Sequence, residues 1–170
     1  MRENLPILLL KKLILLPNQE IRLEINNDVS KYAIDDAIKH NNSNILVISP
    51  INLLEEKPSA SDLPKMGVIG KIKTKIKLPN SNYRIIITGL NRVQVIEYFQ
   101  DKKGILKSTV KRLYVKNNNE VRETALVRKI KDLINEYILI NPESSNTINS
   151  TLEDINDLDL LTDIVVNFLP

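Results

Sequence analysis

Apolar and polar residues alternate most cleanly over Glu20–Ile25: Ile21, Leu23 and Ile25 fall on one side, Glu20, Arg22 and Glu24 on the other. That period of two predicts a half-buried strand. Asp28 then offers a helix N-cap. Val29, Ala33 and Ala37, with Tyr32, Ile34 and Ile38 beside them, recur at helical spacing to about His40. The run NILVIS (44–49) is short and continuously apolar, as expected of a central strand. From Met66 the β signal is strong. Val68, Ile72, Thr74, Ile76 and Leu78 are predicted on one face, and Lys71, Lys73, Lys75 and Lys77 on the other. PNSN (79–82) is a turn. YRIIITG (83–89) and RVQVIEYF (92–99) read as two strands joined at Gly89-Leu90-Asn91, and ILKSTVKRLYV (105–115) as another.

Beyond residue 116 the period changes. Asn117 to Glu120 has the N-cap and acid of a capping-box-like start. Leu126, Ile130, Leu133, Tyr137 and Ile140 then follow at spacings of three and four, and Pro142 ends the helix. NTINSTLEDI can form a short helix. Asp157 can cap a last one through Leu161, Ile164, Val165 and Phe168. The pattern predicts an α+β chain with a β-rich part at 1–116 and a helical part at 117–170.

Two stretches escape this scheme. LPILLLKKLILLP (5–17) is the most apolar, yet it is no secretory signal: Lys11 and Lys12 break the run and no small-residue cleavage site follows. It is also far short of the ~20 apolar residues of a membrane helix. Two short strand-like pieces around a charged bend fit better, and the chain is read as cytoplasmic. Leu13 to Leu16 are either plain core or a partly exposed surface. The second stretch, PINLLEEKPSASDLPK (50–65), has no period and three prolines. A connection this long is either a binding loop or a linker. Its leucines have no regular element to bury them. Leu53, Leu54 and Leu63, together with Leu15 and Leu16, are therefore the candidate polypeptide-binding residues.

Composition removes several kinds of chemistry. The 170 residues include no cysteine and one histidine, His40, so thiolate and multi-histidine metal sites are excluded. With four glycines, neither the dinucleotide fingerprint nor the phosphate loop can be written. His40 sits where a helix is expected to end and suits its dipole. GVIG (67–70) matches a backbone-clamping RNA loop only superficially, since its middle residues are apolar and lie in a strand pattern. No catalytic residue, cofactor site or metal site is expected. Charge is uneven: thirteen Lys/Arg and two acids lie between Lys65 and Lys116, and six acids with no Lys or Arg from Glu143 onward. A basic β-face could bind a phosphate backbone. Alternating lysines also discourage edge-to-edge strand pairing, and aromatic residues for base stacking are few.

Order and spacing give a resemblance. LPILLLKKLILLPNQEIRL is similar to the opening of the N-terminal domain of the ATP-dependent Lon protease family, with Leu8, Leu10, Pro17 and Leu23 in matching places. Leu9, Lys11 and Arg22 stand where the family usually has proline, arginine and proline. In MGVIGKIKTKIKLPNSNYRIIITGLNR, Gly67, Pro79, Gly89, Leu90 and Arg92 match, while Ser81 or Asn82 replaces a hairpin glycine. LDLLTDIVVNFLP looks like the family's closing helix. The resemblance spans essentially the whole chain. It implies a PUA-like β-barrel subdomain with one packed helix, followed by an α-helical subdomain. It also implies recognition of unfolded or damaged protein substrates and support of a homo-hexameric ring. ATP, magnesium and the Ser-Lys peptidase would belong to parts of such a protein that are absent here. This chain would be a piece of it or a stand-alone relative, and by itself a monomer or weak dimer. The other reading is a PUA-like nucleic-acid-binding module using the basic face.

Overall fold

The computed structural model describes residues 2–11, 13–51, 62–102, 105–114, 119–140 and 151–166. The chain divides into two units, Met1–Tyr114 and Val115–Pro170. Among the described residues the first holds six strands: β1 (Arg2–Leu9), β2 (Glu20–Ile25), β3 (Asn44–Ile48), β4 (Met66–Lys77), β5 (Tyr83–Gln100) and β6 (Leu106–Arg112). Between β2 and β3 lies helix α1 (Asp28–His40).

The strands form one mixed sheet in the order β2-β5-β4-β3-β1-β6, and β5 also pairs with β6. The pairings thus run in a ring from β5 through β4, β3, β1 and β6 back to β5, with β2 attached outside it on β5. Among the described strands only β1 and β3 are parallel. Parallel neighbours need a crossover, which β2 and α1 supply.

The apolar strands are explained by two cores on opposite faces. Along β1 and its extension, Leu8 and Leu10 join one cluster, Leu5 and Ile7 the other. Along β3, Ile45 and Val47 alternate with Leu46 and Ile48 in the same way. A strand covered on both sides must be apolar at every position. The first core is closed by Ala33, Ile34 and Ala37 of α1; the two alanines let the helix lie close to the sheet, and Ile34 fills the space between.

Several details differ from the sequence pattern. The N-cap of α1 is Asn27, whose Oδ1 accepts from the Ser30 N–H at 2.8 Å; Asp28 opens the first turn. YRIIITG and RVQVIEYF are one 18-residue strand. Its first half pairs with β2 and its second with β6, while β4 follows both. Register shifts in β4 around Ile69 and between Ile72 and Thr74 break the simple alternation. Ile69 is buried in the second core, opposite Val68 in the first, while Thr74 and Ile76 are exposed. The 78–82 turn forms as expected: the Ser81 N–H donates to Leu78 O at 3.0 Å with Ser81 at φ 64°.

The second unit contains α2 (Glu120–Ile140) and α3 (Leu158–Val165). Asn119 caps α2 through the Arg122 N–H at 3.0 Å, and Asp157 caps α3 through the Leu160 N–H at 2.8 Å. The buried face of α2 carries Val127 and Ile138, with Ile130, Ile134 and Tyr137 beside them, against Leu152 and Leu161. Of the predicted stripe, Ile130 and Tyr137 face this core, whereas Leu126, Leu133 and Ile140 are exposed. Asn117, Pro142 and Phe168 lie outside the described residues.

Candidate functional site

After Leu10, whose N–H donates to Ile48 O at 2.9 Å, the chain leaves the sheet and returns through a tight turn at 16–19. Asn18 is left-handed at φ 60°. The Leu16 N–H donates to Gln19 Oε1 at 3.0 Å, and the Gln19 N–H to Leu16 O at 3.3 Å. This turn docks on the middle of β5: the Asn18 N–H donates to Gly89 O at 2.9 Å, and the Gly89 N–H to Gln19 O at 2.8 Å. Contact is so close that a Cβ at Gly89 would lie 2.0 Å from Leu16 O. Glycine is required there to let one backbone cross another.

The docked segment Leu13–Leu16 walls a groove of about 300 Å³. Its floor is Val47, Ile48, Gly67 and Val68, where the β3–β4 pairing ends at Val47↔Val68. A side chain at Gly67 would collide with Ile48 Cγ2 at 2.6 Å, so Gly67 keeps the two chains close. Pro64, Met66, Ser49 and Arg92 complete the lining. Ile14 is 68% exposed and Met66 49%. The lining residues are apolar apart from Ser49 and Arg92. The groove is suited to receiving apolar side chains and has no nucleophile–base pair. Among the described residues no cluster of His, Cys, Asp or Glu could hold a metal ion.

The candidate leucines are placed unequally. Leu16 is half-buried and lines the groove. Leu15 is only 3% exposed; it touches the groove from beneath while filling the first core. Leu63 is 4% exposed and belongs to the second core. As freely exposed contact residues, Leu15 and Leu63 are thus corrected: each has a sheet face to fill. Leu53 and Leu54 lie outside the described residues. The pattern missed Ile14, Met66 and Arg92. Ile14 was hidden inside a uniformly apolar run, and Met66 was counted only as the start of a strand.

The downstream end of the 50–65 stretch is firmly held. The Val95 N–H donates to Lys65 O at 2.9 Å, the Ile51 N–H to Asp62 O at 2.9 Å, and the Tyr98 hydroxyl to Pro64 O. Burial pushes the Tyr98 phenol up to about 12.

Much of the basic character is used internally. Lys75 pairs with Asp35 at 2.6 Å and lies over the Tyr83 ring at 4.7 Å. The Lys71 ammonium donates to Asn42 O. Lys107 meets Asp36 at 2.8 Å and Asp101 at 3.2 Å. Arg112 Nε donates to Glu3 at 2.6 Å, and its Nη1 to Asn91 at 3.2 Å. Asp36 and Glu3 hold the Lys107 and Arg112 pKa values above their usual ranges. These cations brace the fold, which leaves less of the strand face to phosphate. His40 is exposed in the last turn of α1.

No helix among the described residues is long and apolar enough to cross a membrane. In fold, the chain is similar to the N-terminal domain of a Mycobacterium avium complex Lon protease: TM-score 0.76, 20% identity, 95% of this chain and 81% of that one. It is also similar to a Lon N-terminal domain protein from Xanthomonas campestris, with TM-score 0.54, 13% identity and 99% of both chains. In sequence it is 30% identical to a Lon protease of Lachnoclostridium phytofermentans over 169 residues, and 25% identical to one of Bacillus thuringiensis over 165. The matches take in 98% and 97% of this chain but only 21% and 20% of those proteins, so the chain spans about a fifth of their length. The family described as the ATP-dependent protease La (LON) substrate-binding domain matches residues 4–170. Over nearly its whole length, the chain belongs to the LON substrate-binding domain family.

Proposed function

We propose that this domain recognises unfolded or damaged polypeptides for an ATP-dependent Lon protease, and does so at the groove between Leu13–Leu16 and the β3–β4 junction. The observation that carries the reading is an apolar groove with exposed Ile14 and Met66 at its rim, in a domain of a substrate-binding family. Unfolded chains differ from folded ones chiefly in showing apolar side chains, and the groove is chemically matched to them. The ring of strand pairings, with α1 packed on one face, is read as a PUA-like β-barrel. The parent protein is proposed to be a cytoplasmic, homo-hexameric serine endopeptidase. Its ATP, magnesium and Ser-Lys peptidase belong to parts absent from this chain, and the domain supports the ring.

Burying one apolar side chain is worth roughly 1.5–3 kcal/mol at most, and ordering the captured segment subtracts from that. A single domain should therefore bind weakly, and several copies on a ring would supply avidity. The test is fluorescence anisotropy with a permanently unfolded protein over a salt series. Ile14→Ser with Met66→Ser should weaken binding severalfold without loss of fold. Unchanged binding by a folded double variant would remove the groove from the mechanism. If nucleic acid bound instead, with affinity falling steeply in salt, the alternative reading of a nucleic-acid-binding module would gain.

A further inference from the structure

Strand β2 ends the sheet: among the described residues it pairs with β5 alone. The turn before it fixes which way its backbone points. Gln19 O accepts from the Gly89 N–H at 2.8 Å, so it is aimed at β5, and the N–H of Glu20, in the same peptide, is aimed away. Alternation then turns the main-chain groups of Ile21, Leu23 and Ile25 towards β5, and those of Glu20, Arg22 and Glu24 towards the open edge. The side chains sort in the same way. Ile25 is buried in the first core with Ile21 and Leu23 half-buried against it, while Glu20, Arg22 and Glu24 are exposed. Arg22 has no hydrogen bond or ion pair among the described residues. Glu20 Oε2 accepts from the Thr88 hydroxyl at 3.4 Å, and Glu24 Oε1 from the Asn82 amide at 2.9 Å. Glu24 also stands opposite Arg84 across the β2–β5 pairing.

We propose that β2 is a pairing edge for a second copy of this chain, the two β2 strands running antiparallel about a two-fold axis at Leu23. This pairing is independent of the groove. In an antiparallel pair, residues whose main-chain groups point outward must lie opposite one another, so Glu20, Arg22 and Glu24 meet residues of the same outward set. Charge then chooses among the registers. With the axis at Arg22, arginine meets arginine and Glu20 meets Glu24 of the second copy. With the axis at Glu24, glutamate meets glutamate. With the axis at Ile21, Glu20 meets Arg22, but only the first half of each strand overlaps. With the axis at Leu23, Arg22 lies opposite Glu24 of the second copy, twice by symmetry. Arg84, Glu24 and Arg22 of the second copy then alternate in sign across neighbouring strands. On the other face Leu23 meets its own copy and Ile21 meets Ile25, which extends the first core. Opposite charges and apolar pairs directly across strands are favourable, and like charges are not. Edge charges commonly discourage pairing; here their alternating sign leaves one full-length register open. The contact is far smaller than the ~1,600 Å² of a standard interface, so the dimer is weak.

The chain has no cysteine, so single cysteines report where the axis lies. Across a non-hydrogen-bonded antiparallel pair the Cα atoms are ~4.5 Å apart, within reach of a disulfide. Leu23→Cys should therefore form a covalent dimer under mild oxidation of concentrated protein. Ile21→Cys, about 13 Å from its own copy in this register, should cross-link only by collision. In the unaltered chain, sedimentation over a concentration series should show a weak dimer that salt weakens. Arg22→Glu should weaken it about tenfold, since two attractive pairs become repulsive. Arg22→Glu combined with Glu24→Arg restores opposite charges and should recover the dimer, with the fold of each variant checked by circular dichroism. Cross-linking of Leu23→Cys no faster than that of Ile21→Cys would overturn the proposal. So would a dimer indifferent to Arg22→Glu, since it would form elsewhere. If Arg22→Glu altered binding of an unfolded protein while the unaltered chain stayed monomeric, the edge would be a substrate strand site and self-pairing would fall.

Discussion

Gly89 has no room for even a methyl group, because Leu16 O occupies the space where a Cβ would stand. Gly89→Ala should cost about 1–3 kcal/mol in urea unfolding and should loosen the Leu13–Leu16 wall. The leucines of that wall should separate by role. Leu15→Ala, which opens a cavity in the first core, should cost about 2–5 kcal/mol. Ile14→Ser should leave stability nearly unchanged and act on binding alone. Tyr98 gives a pH signature. Its unfolded phenol ionises near 10.0 and its folded phenol near 12, because burial disfavours the phenolate. The folded state keeps the proton longer, so its stabilisation is full below pH 10.0 and is lost as pH rises towards 12. Tyr83 shifts in the same direction, chiefly through its hydrogen bond to Asp35. Tyr98→Phe should cost about 1 kcal/mol at neutral pH, from the lost bond to Pro64 O. It should also flatten the alkaline decline, as read by urea unfolding across that range.

At the scale of elements, the cap of α1 offers a sharp comparison. Asn27→Ala should destabilise by about 1 kcal/mol, whereas Asp28→Asn, which keeps the cap, should change stability by only a few tenths; thermal unfolding of the two variants decides it. The neighbouring Asn27 and Asp28 are both good capping residues, so local chemistry alone could not rank them. β2 was legible because it is half-buried and alternates. β1 and β3 were legible as strands but not in their facing, since two cores demand apolar residues at every position. Gly89-Leu90-Asn91 reads as a joint between two strands because glycine and asparagine usually mark turns. Here Gly89 serves an approach by a distant segment, which no local pattern encodes. The α2 stripe was displaced because Leu126 and Leu133 fit a helical period as well as Val127 and Ile134 do. Only the partner residues Leu152 and Leu161 decide which face is buried. The groove was the least legible feature, for it is assembled from four separate stretches of chain.

For the whole molecule, the absence of a phosphate-loop sequence predicts no ATP turnover by the purified chain, checked by phosphate release. Sedimentation at micromolar concentration should show a monomer or weak dimer, because this chain spans only about a fifth of its Lon protease relatives and the rest of the proposed parent is expected to hold the ring together. The ring of pairings also bears on how the protein is made. β1 is synthesised first, yet Arg2 pairs with Lys111 and Pro6 with Lys107. At about 5–20 residues per second, its outer edge waits some seconds for β6 to emerge. Meanwhile the apolar stretch LPILLL is on offer to any other strand. Contacts of such long sequence separation also fold slowly. A slow-translating stretch placed ahead of β6 should therefore raise the aggregated fraction during synthesis, while the same delay placed after residue 114 should not.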